Sequence, residues 1–272
     1  MIYSEYSPRQ IDASRIMDGA EPEFLDGGED GLLFLHGFSG SPYEGRDFAR
    51  YFSRLGYTVW VPLLPGHGTR PEDMKNVSWQ EWYFAVRYYW ERLSAKCRRV
   101  VVCGQSMGGC LALHLASHHP VDILVTLSGP VFLTDWRLKL LPMAKYFLQY
   151  QYKSKGPDIR SQSAKRKSAD YPKYPVKSVM ELQKLLNHVR SDISEISAPT
   201  LLIHSRKDHT VSFNNLDYIY TRISSKIKKR IVLEKSYHVI SVDIEKEQVL
   251  QEVKNFLEEN RTVLPEAIEK NV

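Results

Sequence analysis

The chain has 272 residues, 43% hydrophobic and 25% charged, values that suit a globular protein able to bury a sizeable core. Its formal charge of +5 comes from 37 basic against 32 acidic side chains, too small an excess to make nucleic acid an expected partner. Three cysteines, Cys97, Cys103 and Cys110, argue against a disulfide framework and show no metal-like spacing.

Short apolar runs alternate with segments of helical period, which predicts βαβ units around a mostly parallel sheet flanked by helices, an α/β fold. Leu32–Leu35 reads as a strand ending at His36-Gly37. Ser41-Pro42-Tyr43-Glu44 has the form of a capping box with Pro at the first helical position. The helix it predicts carries Phe48, Phe52 and Leu55 and stops at Gly56. Tyr57–Val61 is the next strand, followed by a loop rich in Pro and Gly. Ser78 and Glu81 predict a second capping box, with Trp82, Val86, Tyr89 and Leu93 repeating at helical spacing behind it.

Val100–Cys103 is a strand running into Gly104-Gln105-Ser106-Met107-Gly108, helix-like sequence continues to Ser117, and Ile123–Leu127 is a further strand. From Phe132 to about Pro175 the chain is apolar and aromatic, then basic, and no strand can be read there. An insertion is expected, dividing the chain into a first core part (1–131), a cap (132–175) and a second core part (176–272). Helical period returns with Val179, Leu182, Leu186 and Val189. Thr200–Ile203 and Ile231–Leu233 are the last strands, and a closing helix carries Val249, Leu250, Val253, Phe256 and Leu257.

Gly104-Gln105-Ser106-Met107-Gly108 fits G-x-S-x-G between a strand and a helix. That context forces the serine into a sharp turn where side chains on its neighbours clash, and Gly104 and Gly108 remove them. Ser106 is therefore the candidate nucleophile. A serine hydroxyl needs a base, and the base an orienting acid, which this kind of turn takes from later loops in the order serine, acid, histidine. Of nine histidines only His238, in Ser236-Tyr237-His238, follows the last strand and precedes the closing helix. Asp208 lies just past the strand ending at Ile203 and is the candidate acid, while His209 beside it points elsewhere. The oxyanion donors expected are the backbone N–H of Met107, directly after the nucleophile, and that of Phe38, after an early strand.

Other features read as structural. The His36 ring reads as structural rather than catalytic, His67 shapes a loop, and Lys165-Arg166-Lys167 is a solvated stretch. His114 and His118, four apart on a helix, have a spacing zinc uses, but no third ligand motif follows and a solvated helix face is the preferred reading. No metal or cofactor is expected. No run approaches the ~18 apolar residues that span a bilayer. Met1 to Gly19 lacks the apolar core of a signal peptide, so a cytoplasmic location is expected.

The chain resembles the bacterial monoacylglycerol lipase and carboxylesterase family of the α/β hydrolases. The likeness rests on His36-Gly37-Phe38-Ser39-Gly40, Gly66-His67-Gly68-Thr69, Gly104-Gln105-Ser106-Met107-Gly108-Gly109, Asp208-His209 and Ser236-Tyr237-His238-Val239. It implies an eight-stranded core with a small cap after the sixth strand. It also implies Ser106, Asp208 and His238 as the triad, Phe38 and Met107 as oxyanion donors, and no cofactor. Short- to medium-chain acyl esters or monoglycerides are the implied substrates, although the family's glycerol contacts cannot be matched onto Phe132–Pro175. Trp136, Leu141 and Phe147 are candidate substrate contacts in an apolar lid, the alternative being that they simply cover the core. Other acyl chemistry on the same triad, a non-catalytic scaffold, and transient contact with a membrane surface are the competing readings.

Overall fold

Seven strands form the main sheet of the computed structural model, which describes residues 7–8, 11–134 and 148–261. In chain order these are β1 (Glu23–Leu25), β2 (Asp30–Leu35), β3 (Thr58–Val61), β4 (Arg99–Gln105), β5 (Ile123–Leu127), β8 (Thr200–Ser205) and β9 (Lys228–Leu233). They lie in the order β1-β3-β2-β4-β5-β8-β9, all parallel except β1, which pairs antiparallel with β3 at one edge. Helices α1 (Arg46–Arg54), α2 (Trp79–Lys96), α3 (Met107–His118), α5 (Val176–Asp192), α6 (Asn214–Arg222) and α7 (Lys246–Glu259) flank it. Between β5 and α5, two short strands, β6 (Tyr150–Tyr152) and β7 (Lys173–Pro175), pair antiparallel around the short helix α4 (Gln162–Lys167).

The strand sequences explain the layers. β4, β5 and β8 are buried along their whole lengths, as strands covered by helices on both faces must be, and so read as mostly apolar runs rather than alternating ones. Alternation along β2 separates two cores. Leu33 and Leu35 join Trp82, Val86, Leu111, Leu185 and Ile219 on one face. Leu32 and Phe34 join Phe48, Phe52, Val249, Val253 and Phe256 on the other. At the end of the sheet where the strands begin, Arg99 makes two bonds of 2.6 Å to Asp30, its register partner on β2.

Several expectations change. The main sheet has seven strands among the described residues, and the insertion leaves after the fifth of them. Ahead of β1 the chain makes a 3-10 turn at Ala13–Arg15 and a turn at Gly19 (φ 85°), and no outer strand forms before β1 among the described residues. Strand β1, helix α6 and the pair β6–β7 are elements that the periodicity does not reveal, the strands having only three residues each. The box at Ser78 and Glu81 forms, with both side chains bonded. The one expected at Ser41 does not: Pro42–Gly45 is a 3-10 turn and Ser41 makes no cap bond. Trp136, Leu141 and Phe147 lie outside the described residues.

Candidate active site

The ends of β2, β4, β8 and β9 bring four loops to one edge of the sheet. At the tip of β4, Ser106 holds φ 54° and ψ −118°, a conformation that L-residues rarely adopt. Its N–H donates to Leu127 O (2.8 Å), and its carbonyl accepts from Cys110 N–H to begin α3. The glycines around it are required by contact. A Cβ on Gly104 would stand 2.2 Å from the Gly108 backbone, and one on Gly108 would stand 2.0 Å from Leu35 O.

His238 Nε2 is 2.8 Å from Ser106 Oγ, and His238 Nδ1 is 2.7 Å from Asp208 Oδ2. The three residues picked out by chain order therefore meet in one hydrogen-bonded line. Asp208 Oδ1 also accepts from the N–H groups of Thr210 (2.8 Å) and Val211 (2.7 Å), which fixes the carboxylate. Burial pushes the Asp208 carboxyl up, but attraction to His238 and hydrogen bonds from His204 and His238 outweigh it and hold the group well below the ordinary carboxylate range. Burial pushes the His238 imidazole down. The adjacent Asp208 overcomes that and raises it above its ordinary value, with Asp158 and Glu44 adding in the same direction.

The loop after β2 lies directly against Ser106: a Cβ on Gly37 would come within 3.3 Å of Ser106 Cβ. Phe38 follows Gly37 in that loop, and Met107 holds the first position of α3, directly after Ser106. Neighbouring N–H groups are used inside the protein, Gly37 to Glu44, Gly40 to Gly37 O and Ser106 to Leu127 O. His36 is fully buried, donates from Nδ1 to Gly37 O (3.0 Å) and accepts Leu64 N–H at Nε2 (3.1 Å). Both ring nitrogens are thus used in holding the loop, and burial, with the nearby His67, pushes the imidazole well below its ordinary value. His67 bonds Pro65 O through Nδ1 (2.9 Å), and His209 Nδ1 turns away to Asp158 (3.0 Å).

Four contributors went unread in the sequence. His204 places Nε2 3.2 Å from Asp208 Oδ2, so the acid is held by two imidazoles. Gln105 is fully buried and donates to His238 O (2.9 Å), tying the nucleophile turn to the histidine loop. Glu44, in place of a cap bond, turns back to accept Gly37 N–H at 2.7 Å. Burial pushes its carboxyl up to about 7, against the pull of that N–H and of His238 and Lys153. Asp158 O accepts the N–H groups of His238 and Val239, and its carboxylate accepts His209 N–H, so one residue ties the Asp208 and His238 loops together. Only the G-x-S-x-G spacing pointed towards Gln105; the rest arise from distant chain crossings.

Comparisons agree with this geometry. A family model described as serine aminopeptidase, S33, matches residues 29–245. A thermostable monoacylglycerol lipase from Bacillus sp. (strain H-257) is 33% identical over 241 residues, covering 87% of this chain and 93% of that protein. A carboxylesterase from Bacillus subtilis (strain 168) is 29% identical over 240 residues, covering 88% and 96%. A structure reported for the metagenome-derived lipolytic enzymes LipS and LipT has a TM-score of 0.86 at 31% identity, covering 90% of this chain and 99% of that one. The chain thus belongs to the α/β-hydrolase family described as serine aminopeptidase, S33, alongside the bacterial monoacylglycerol lipase and carboxylesterase it matches.

Proposed function

We propose that the protein is a serine carboxylic-ester hydrolase that works through an acyl-enzyme on Ser106. The observation that carries this is the line Ser106–His238–Asp208, with bonds of 2.8 and 2.7 Å. His238 takes the hydroxyl proton as Ser106 Oγ attacks the ester carbonyl. Asp208 holds the ring and stabilises the imidazolium that forms, and the N–H groups of Phe38 and Met107 receive the oxyanion. Collapse expels the alcohol with the proton from His238, and water then repeats the sequence to release the acid.

Short- to medium-chain acyl esters or monoglycerides are the substrates we assign, a choice supported by the names of the two relatives. The family description raises a peptidase instead, which needs an acidic group for the substrate amine. The carboxylates beside the site are engaged, Glu44 with Gly37 N–H and Asp170 with Lys153, which supports neutral acyl substrates. We assign residues 132–175 as a cap. Supporting this, Tyr171 OH donates to Gly66 O (3.1 Å) and accepts Thr69 N–H (2.8 Å), and Tyr171 N–H donates to Ser39 O. Three free buried cysteines support a cytoplasmic location, and no described helix is long and apolar enough to cross a membrane.

The test is Ser106→Ala assayed on p-nitrophenyl esters from acetate to laurate beside a monoglyceride. The variant is expected to lose nearly all turnover, on the order of 10³-fold or more, and wild type to favour the shorter half of the series. Wild-type-like turnover in the variant overturns the assignment.

A further inference from the structure

We propose that His114, His118 and Asp192 form a second site, for a divalent cation of the zinc type, clamped between α3 and α5. His114 and His118 stand four residues apart on α3, so their rings leave the same helix face. Asp192 is the last residue of α5, which packs against α3. One ligand atom from each of the three lies within 4.8 Å of the other two. Spacing in the sequence offers only the two histidines; the third ligand arrives from a helix far along the chain.

The local bonding leaves suitable atoms free. His118 Nδ1 is 3.0 Å from His114 O. Donating its proton there leaves a lone pair on Nε2, which lies 3.7 Å from Asp192 Oδ2. A backbone bond of that kind fixes the tautomer of metal-bound histidines. His114 is only 4% exposed, so the pair does not form the fully solvated face that spacing alone favours. Its Nδ1 is buried with no hydrogen-bond partner among the described residues, so it calls for a partner from outside them, an ordered water or a bound ion.

His188 stands four residues before Asp192, and its ring lies 6.3 Å from that of His114, against Trp79. A second i,i+4 pair on α5 thus stands beside the first on α3, with His188 as a neighbouring imidazole. Two imidazoles and a carboxylate are the ligands zinc takes, at bonds of ~2.1 Å and hence ligand separations of ~3.4 Å. His118 and Asp192, with side chains 44% and 31% exposed, have the freedom to close the difference by rotation. His118 is ~18 Å along the helix axis from Ser106, so a cation here braces the helix that carries the nucleophile without touching the substrate.

The experiment uses full-length, chelator-treated protein titrated with zinc sulfate by calorimetry, with thermal unfolding measured in parallel. Wild type is expected to bind one zinc per chain and to melt at a higher temperature with zinc present. His118→Ala and Asp192→Ala should each weaken binding at least about tenfold and cancel the thermal shift, with ester turnover without zinc unchanged as the control for folding. The stability readout does not depend on the esterase reading. Absence of saturable binding by wild type overturns the proposal. So does undiminished affinity in the His118→Ala/Asp192→Ala double variant, which places the zinc elsewhere.

Discussion

His238 is basic because a buried, doubly held carboxylate faces it, and that has a consequence in pH. The ring must be neutral to accept the Ser106 proton, so kcat/KM falls as pH drops through a His238 value raised above its ordinary ~6.5. Asp208→Asn removes the main attraction. It should move this acid limb to lower pH and cut kcat on the order of 10³- to 10⁴-fold. Glu44→Gln keeps an acceptor for Gly37 N–H and removes a carboxyl that, at about 7, is only partly ionised across this limb, so the limb should move the same way only slightly, with most of kcat retained. A pH–rate profile of the three proteins checks both; an acid limb unmoved in Asp208→Asn contradicts the account. Ser106, Asp208 and His238 were legible because strand–turn–helix context and chain order restrict the choice. Glu44 was not, because its spacing from Ser41 imitates a capping box, and the local signal says nothing of a loop curling back to Gly37. His204 was hidden in an apolar strand, where only the contact with Asp208 reveals its use.

Among the elements, the β4–α3 turn and β2 are fitted to each other at backbone distance. Gly108→Ala would drive a methyl group into Leu35 O and His36 O, neither of which is a flexible side-chain end. Overpacking against backbone should cost about 3 kcal/mol and lower Tm by roughly 5–10 °C. It should also depress turnover, because the strand that must yield carries the Phe38 loop. Thermal unfolding by circular dichroism measures the first effect, and an unchanged Tm contradicts the close fit. The long helices and buried parallel strands were readable from period and apolar run. β6 and β7 were not, since three residues such as Tyr150-Gln151-Tyr152 are too short to show alternation, and their pairing is fixed by tertiary contact. The segment between β5 and α5 gains its place from single anchors instead: Tyr171 on the Gly66–Thr69 loop, and Asp243, whose carboxylate accepts the N–H groups of Arg160, Ser161 and Tyr237.

At the scale of the whole molecule, a sheet with separate cores on its two faces sends its strand ends to one edge, and the chemistry collects there. The same architecture stacks α3 against α5 on one face, which brings His114 and His118 to Asp192. The central claim is that Ser106 is the activated nucleophile, and peptide mapping after reaction with a fluorophosphonate probe tests it most directly. One adduct per chain on the peptide containing Ser106, lost in His238→Ala, is the predicted result. No adduct, or an adduct on a different residue, would contradict it.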